Sequence, residues 1–455
     1  MADVTTIAVV DIGKTNAKVA LVDAATFQEI AVRTTPNLVV TGPPYPHFDT
    51  ERLWAFIVES LGSLNAERRI DAVSVTTHGA TAALVDADGR LALPVLDYEY
   101  AGPDELDAEY RKARPPFAAS GTPRLPGGLN LGAQIYWQSR RFPDAFANTA
   151  SLLMYAQYWS FRLTGVLAGE VTSLGCHTDL WEPLDGRYST LVTEQGWLER
   201  MPPLRKAGDS LGPILPDVAA RTGLDAGTPV YCGIHDSNAS LLPYVLSLDA
   251  PYAVVSTGTW VIVMAMGGKR LKLDEARDTL VNVNALGNPV PSARFMGGRA
   301  FSLLGGRSMP IADAAVTSVL ARASMILPSV PEDSGPFQGK HAEWTVARDE
   351  LSEEEVQATI AFHLALMTST CLGLIGAEGP VIVEGPFASN PAYLAMLKAS
   401  TGREILTGAS VTGTSAGAAC LAAGNVAQPR LQPFGRDSSD EMKAYAEAWA
   451  SRALR

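Results

Sequence analysis

Two polar turns hold the residue types best suited to chemistry. Asp11, Gly13, Lys14, Thr15 and Asn16 separate the apolar runs Ile7 to Val10 and Val19 to Val22. Ser256, Thr257, Gly258 and Thr259 separate Val254-Val255 from Val261 to Val263. β-Branched runs closed by a Gly-containing polar turn predict hairpins. Hydroxyls and backbone N–H groups at such a turn form a concave donor surface that suits phosphate oxygens. The design occurs twice, in AVVDIGKTNAKVALVD and AVVSTGTWVIVMA, so two donor turns on duplicated elements could close on one polyphosphate. Neither turn is a G-x-x-x-x-G-K-[ST] loop, and no G-x-G-x-x-G follows a strand, which excludes P-loop and Rossmann sites.

Other polar residues stand where apolar runs end. A strand expected over Ile70 to Thr77 runs into His78-Gly79, a position from which side chains commonly face a cleft. A histidine satisfied by backbone is the alternative there. A strand from Val230 to Cys232 leads through Gly233-Ile234-His235 to Asp236 and a helix expected from Ser237. Asp236 is thus a carboxylate at a strand-to-helix junction, which a plain N-cap also explains. Asp97 and Glu99 flank Tyr98 and share one side if the segment is extended. Paired carboxylates suggest a glycosidase, but nothing else resembles such a cleft, and solvated loop acids are the simpler reading. The four cysteines have no C-x-x-C spacing and read as buried free thiols. Cys176-His177 lacks the further ligands a metal needs.

The positioning elements follow from periodicity and caps. Asp49-Thr50 caps a helix from Glu51 to Leu64, apolar at Leu53, Trp54, Ile57, Val58 and Leu61. Helices are expected at Ala133 to Arg141 and at Leu152 to Leu163. Asn282, Asn284 and RFMGGRAF read as loop. A long helix from Glu353 to Gly376 precedes a buried strand, Val381 to Val383. That strand ends in Glu384-Gly385-Pro386, and Asn390-Pro391 starts the next helix. A strand from Arg403 to Leu406, a small-residue helix from Thr414 to Ala423 and an amphipathic helix from Ser438 to Arg455 complete the chain. The small residues allow close approach by backbone or ligand.

At 455 residues the chain exceeds one core, so two domains are expected. A net charge of -12 without clustered Lys and Arg argues against nucleic acid. The N-terminus lacks a basic leader, and no apolar stretch of about 18 residues is evident, so no membrane span and a cytoplasmic location are expected.

The order of GKTN hairpin, HG after a strand, HD before a helix, TGTW hairpin and strand-Gly-helix resembles the FGGY carbohydrate kinases of the actin-like ATPase superfamily. LLMYAQYWSFRLTG, GIHDSNAS and STGTW are most similar to the rhamnulose and fuculose kinase branch. The resemblance implies an α/β fold of two ribonuclease H-like domains, residues 1–243 and 244–455, with the active site in the cleft between them. It implies ATP and Mg2+, with Asp11 associated with the magnesium and Gly13, Lys14, Thr15 and Asn16 forming the first phosphate loop. Thr257, Gly258 and Thr259 match the second loop, and Gly385 to Asn390 the nucleotide-binding turn. Asp236 matches the catalytic base, while His78, Gly79, His235 and Asn284 fall at sugar contacts. The family usually has two or three glycines where Glu384 and Pro386 flank Gly385 alone, so Glu384 would either repel a nucleotide or hydrogen-bond its base or ribose. The expected acceptor is a ketose or deoxyketose, L-rhamnulose or L-fuculose leading, with D-ribulose, D-xylulose or a polyol as alternatives. A regulator of the same fold without catalysis is a further alternative. The last helix offers a surface for a homodimer.

Overall fold

The computed structural model describes residues 4–408 and 413–454. Two compact units make up the fold. The first holds the chain up to Leu248, the segment Val281–Pro289 and the segment carrying Thr414–Ala423; the second holds the remainder. The chain therefore crosses between the units more than once.

In the first unit, Thr6–Ile12 pairs antiparallel with Asn16–Asp23, forming the first expected hairpin. On its other edge Thr6–Ile12 runs parallel to Ala72–Thr77. Pro229–Tyr231 and Ile234–His235 both join Ala72–Thr77 in parallel. Side chains alternate across this sheet. Ala8, Val10 and Ile12 pack on one face with Leu53, Ile57 and Trp159, from helices Thr50–Glu67 and Tyr155–Thr164. Ile7 and Val9 pack on the other with Ala239, Ala416 and Ala419. Burial on both faces explains the near-continuous apolar run that opens the chain.

The second unit repeats the core of this design. Tyr252–Thr257 pairs antiparallel with Val261–Met266 and parallel with Val381–Glu384. Helices Glu353–Leu374, Pro391–Thr401 and Asp440–Ala453 supply its core with Phe362, Met367, Leu397 and Trp449. A capping box at Ser352 and Glu355 starts the first of these helices, and Asn390 caps the second. Glu353–Leu374 is, among the described residues, long and apolar enough to cross a membrane, contrary to the sequence expectation; 83% of its apolar window is buried inside the fold.

Two element assignments change. Ser151–Met154 is a strand paired with Ala82–Val85, and the helix begins only at Tyr155. A short apolar run such as Leu152-Leu153-Met154 fits either period, and pairing decides it. The expected loop around Asn282 instead contains strands Thr279–Val283 and Pro289–Phe295 and helix Gly297–Leu303. Asparagine and glycine are tolerated there because the apolar positions Leu280, Val281, Val283, Val290 and Phe295 are buried.

Candidate active site

The duplicated design puts corresponding junctions beside the two polar turns. In the first unit Asp11 lies opposite Thr76 and Ile12 opposite Thr77, so the chain leaves the sheet at His78-Gly79 directly beside the turn. The His78 N–H donates to the Ile12 carbonyl at 2.9 Å. In the second unit Ser256 lies opposite Glu384, and the chain leaves at Gly385.

Asp11 receives a hydrogen bond from the Thr414 hydroxyl and has Lys18 Nζ at 3.6 Å. Burial raises its carboxyl above the ordinary range; Thr414 and Lys18 oppose this, and the charge of Asp236 adds to it. Thr414 opens the small-residue helix, whose Gly417 lies so close to the next helix that a Cβ would stand 1.7 Å from the Ala239 carbonyl oxygen. Backbone, from helix Asp236–Ser247, is thus what the small residues admit.

His235, rather than Asp236, occupies the N-cap position, and Asp236 is the first helical residue. Asp236 Oδ1 accepts from the Ser237 N–H at 2.6 Å and lies 3.3 Å from His235 Nε2. Burial pushes the Asp236 carboxyl up, with His78 and the Ser237 hydrogen bonds opposing. His78 sits among Phe48, Tyr98 and Tyr155, with ring centroids 5.2, 5.4 and 5.1 Å away. Burial lowers both histidines to about 4, so both are neutral at physiological pH. His78 Nε2 and His235 Nδ1 are buried without a hydrogen-bond partner. A Cβ at Gly79 would stand 2.6 Å from His235 Nε2, so a side chain there would displace the His235 ring.

The first turn differs from a bare donor loop. The Gly13 N–H is taken by the Asn16 carbonyl at 2.9 Å, and Asn37 bonds the Gly13 carbonyl at 2.8 Å. Thr15 and Asn16 remain exposed at its tip. Lys14 turns to Asp97, which it ion-pairs, and to Glu99 at 3.3 Å. Asp97 is only 9% exposed, so it is not the solvated loop acid expected, and its ammonium partner argues against a glycosidase pair.

In the second unit the Thr257 hydroxyl donates to the Glu384 carbonyl and accepts from the Phe387 N–H at 3.1 Å. It therefore ties the hairpin to the turn at Gly385, instead of standing free for an anion. Gly385, at φ +81°, packs so tightly that a Cβ would lie 2.0 Å from the Thr257 carbonyl oxygen, which only glycine permits. Gly258, Thr259, Gly298, Phe301, Pro386 and Asn390 help line a pocket of about 910 Å³ that lies wholly within this unit. Pro386 of the single-glycine turn lines this pocket, and Glu384 is not among the described lining residues. The Asn390 side-chain oxygen accepts from Ala392 and Tyr393 N–H, so that atom serves as a helix cap. Asn284 closes its own turn, accepting from Leu286 and Asn288 N–H at 3.0 Å each.

Mg2+ bound with a nucleotide needs only one or two carboxylates, the phosphates and water supplying the rest. Asp11, with Asp236 close enough to raise its carboxyl, fits that demand. No cluster of three or more metal-ligating side chains occurs among the described residues, so the donor set suits a phosphate-borne ion rather than a protein cage. Sequence reasoning missed Thr414 and the fully buried Glu170, which caps helix Val171–Leu174. Glu170 accepts from the Thr172 hydroxyl, and that hydroxyl accepts from the His235 N–H at 3.1 Å. Burial pushes the Glu170 carboxyl up to about 7. The Glu170-Val-Thr172 spacing of an N-cap acid and hydroxyl was the available signal.

Comparisons with known proteins agree with this duplicated design. Residues 6–243 match the FGGY family of carbohydrate kinases, N-terminal domain, and residues 249–430 match carbohydrate kinase FGGY, C-terminal domain. L-fuculokinase of Salmonella typhi is 28% identical over 215 residues, 46% of this chain and 44% of that protein. Xylulose kinase of Escherichia coli K12 is 26% identical over 269 residues, 56% of this chain and 53% of that protein. The chain thus spans about half the length of these relatives. The crystal structure of a carbohydrate kinase from Novosphingobium aromaticivorans superposes with a TM-score of 0.90 at 35% identity, covering 99% of both chains. Xylulose kinase from Lactobacillus acidophilus shares the fold, with a TM-score of 0.78 at 15% identity over 99% of this chain and 97% of that one. With both halves of the chain matched in order, and a 35% identical structure matched over nearly its whole length, this protein belongs to the FGGY family of carbohydrate kinases.

Proposed function

We propose that the protein transfers the γ-phosphoryl group of ATP to a hydroxyl of a ketose or deoxyketose, with L-rhamnulose or L-fuculose leading, in the cytoplasm where ATP is supplied. The observation that carries this reading is Asp236, a carboxylate raised by burial beside two neutral histidines whose ring nitrogens His78 Nε2 and His235 Nδ1 lack partners. Buried polar atoms without partners are costly, so they suit the hydroxyls of a bound sugar.

Phosphoryl transfer needs an in-line approach, neutralised phosphate charge and an acceptor for the hydroxyl proton. Asp236 takes that proton as the sugar oxygen attacks, and its raised pKa makes it a stronger base than a solvated aspartate. Neutral His78 and His235 orient the sugar by hydrogen bonds without adding charge. Gly79 leaves His235 room to keep its place. Within the second unit the pocket beside Phe301 and Phe387 takes the base, with Gly258 and Thr259 in its lining toward the phosphates. Asp11, held by Thr414, would hold Mg2+, which supplies charge neutralisation on the phosphates when bound.

D-Xylulose is the second reading, favoured by the xylulose kinase of Escherichia coli matching at 26% identity, against 28% for an L-fuculokinase. ADP release from Mg-ATP with a panel of ketoses, deoxyketoses and polyols, run beside Asp236→Asn, tests the proposal. Turnover of one sugar that the variant abolishes while still binding ADP is expected; no turnover with any sugar would defeat it.

A further inference from the structure

Lys14 stands next in sequence to Gly13 of the first polar turn, but its surroundings belong to a different segment. Its ammonium pairs with Asp97, lies 3.3 Å from Glu99 and stands 5.1 and 5.0 Å from the ring centroids of Phe48 and Tyr98. Phe48 and Tyr98 are also two of the rings around His78. Lys14 and Asp97 are 17% and 9% exposed, so the pair is largely withdrawn from solvent. The loop that carries Asp97 is anchored independently of Lys14: its N–H donates to the Pro46 carbonyl at 3.0 Å, and the Tyr98 carbonyl accepts from the Gly128 N–H at 3.0 Å. For Lys14 to reach a phosphate it would have to abandon Asp97, leaving a largely buried carboxylate uncompensated, which is strongly unfavourable.

Resting on the kinase reading above, we infer that Lys14 is a specificity-determining residue facing the sugar and not the polyphosphate, and that with Asp97 it selects neutral polyhydroxylated sugars over sugar acids. A paired ammonium and carboxylate offer adjacent hydroxyls one donor and one acceptor side by side. Asp97 and Glu99 together outweigh Lys14, and Asp236 is a further carboxylate acting on the same His78. A substrate carboxylate entering this group meets like charge at close range, with both neighbouring histidines neutral.

The test compares wild type with Lys14→Met, Lys14→Arg and Asp97→Asn, measuring KM for the preferred neutral sugar, KM for ATP, ADP affinity by calorimetry, and turnover of aldonates. Lys14→Met and Asp97→Asn are expected to raise the sugar KM about tenfold or more. ADP affinity should stay within about twofold, a loss too small for a missing phosphate contact. Asp97→Asn should gain on aldonates relative to the neutral sugar, and Lys14→Arg should recover part of the sugar affinity. If Lys14→Met does not fold, Lys14→Arg and Asp97→Asn carry the same comparison. A fall in ADP affinity of about tenfold with the sugar KM unchanged would overturn the inference. So would a wild type that prefers an aldonate. A wild type that phosphorylates no sugar defeats the kinase reading separately, and the sugar assignment of Lys14 falls with it, while the ADP measurement still reports whether Lys14 meets phosphate.

Discussion

Thr414 donates its hydroxyl to the Asp11 carboxylate across 403 positions of sequence. The bond ties the start of the helix Thr414–Ala423 to the end of the first strand and opposes the rise that burial imposes on Asp11. Removing it with Thr414→Val should lower kcat/KM about tenfold, the equivalent of about 1.4 kcal/mol for a hydrogen bond to a charged group. The Mg2+ concentration for half-maximal rate should rise. Titrating activity against free Mg2+ in wild type and variant checks this; unchanged Mg2+ dependence would separate Thr414 from the ion.

Asp236 should set the acid limb of the rate profile. Its carboxyl is raised above the ordinary 3.8, and the base is active only when deprotonated, so activity falls as pH drops through that raised value. Asp236→Asn should reduce kcat by about 10² to 10⁴ and remove the limb from any residual rate. The pH dependence of kcat and of kcat/KM for both proteins is the measurement.

Gly79 and Gly385 make different contacts, and alanine should separate them. Gly79→Ala places a Cβ 2.6 Å from His235 Nε2, so it should displace the ring and raise the sugar KM while ADP binding persists. Gly385→Ala meets the Thr257 carbonyl oxygen at 2.0 Å with φ at +81°. It should cost at least about 2 kcal/mol of stability and weaken ADP binding. Thermal unfolding and ADP calorimetry on both variants distinguish the two outcomes.

Glu170 should make stability pH-dependent. Its carboxyl is raised from 4.5 to about 7 in the fold, so the native state favours the protonated acid. The stability associated with that proton is fully present below about 4.5, the unfolded value, and is lost as pH rises through about 7. Urea midpoints between about pH 5 and 8 should therefore fall in wild type and stay flatter in Glu170→Gln, by a few kcal/mol at most. Parallel curves would mean that Glu170 stays ionised.

Much of the fold was legible because its signals are local. The two β-branched hairpins, the Asp49 cap and the Asn390-Pro391 helix start are each contained within a few residues, and each forms as expected. Leu152-Leu153-Met154 was misread because a run that short has no period of its own. Only its pairing with Ala82–Val85 makes it a strand.

The candidate site divides along the same line. The sequence alone determined which residue types stand at which junctions: polar Gly-containing turns at Asp11 to Asn16 and at Ser256 to Thr259, a histidine after one strand, and a carboxylate opening a helix. Tertiary structure alone decided how those groups are partnered. Lys14 has Asp97, Asp11 has Thr414, and the Thr257 hydroxyl has the Glu384 carbonyl and the Phe387 N–H. Each partner lies tens to hundreds of residues away, on an element whose own pattern carries no mark of the contact. Local propensity and periodicity act within a helical turn or a strand pair, whereas a charge or a hydroxyl bonds to whatever group the packed sheets and helices bring within reach.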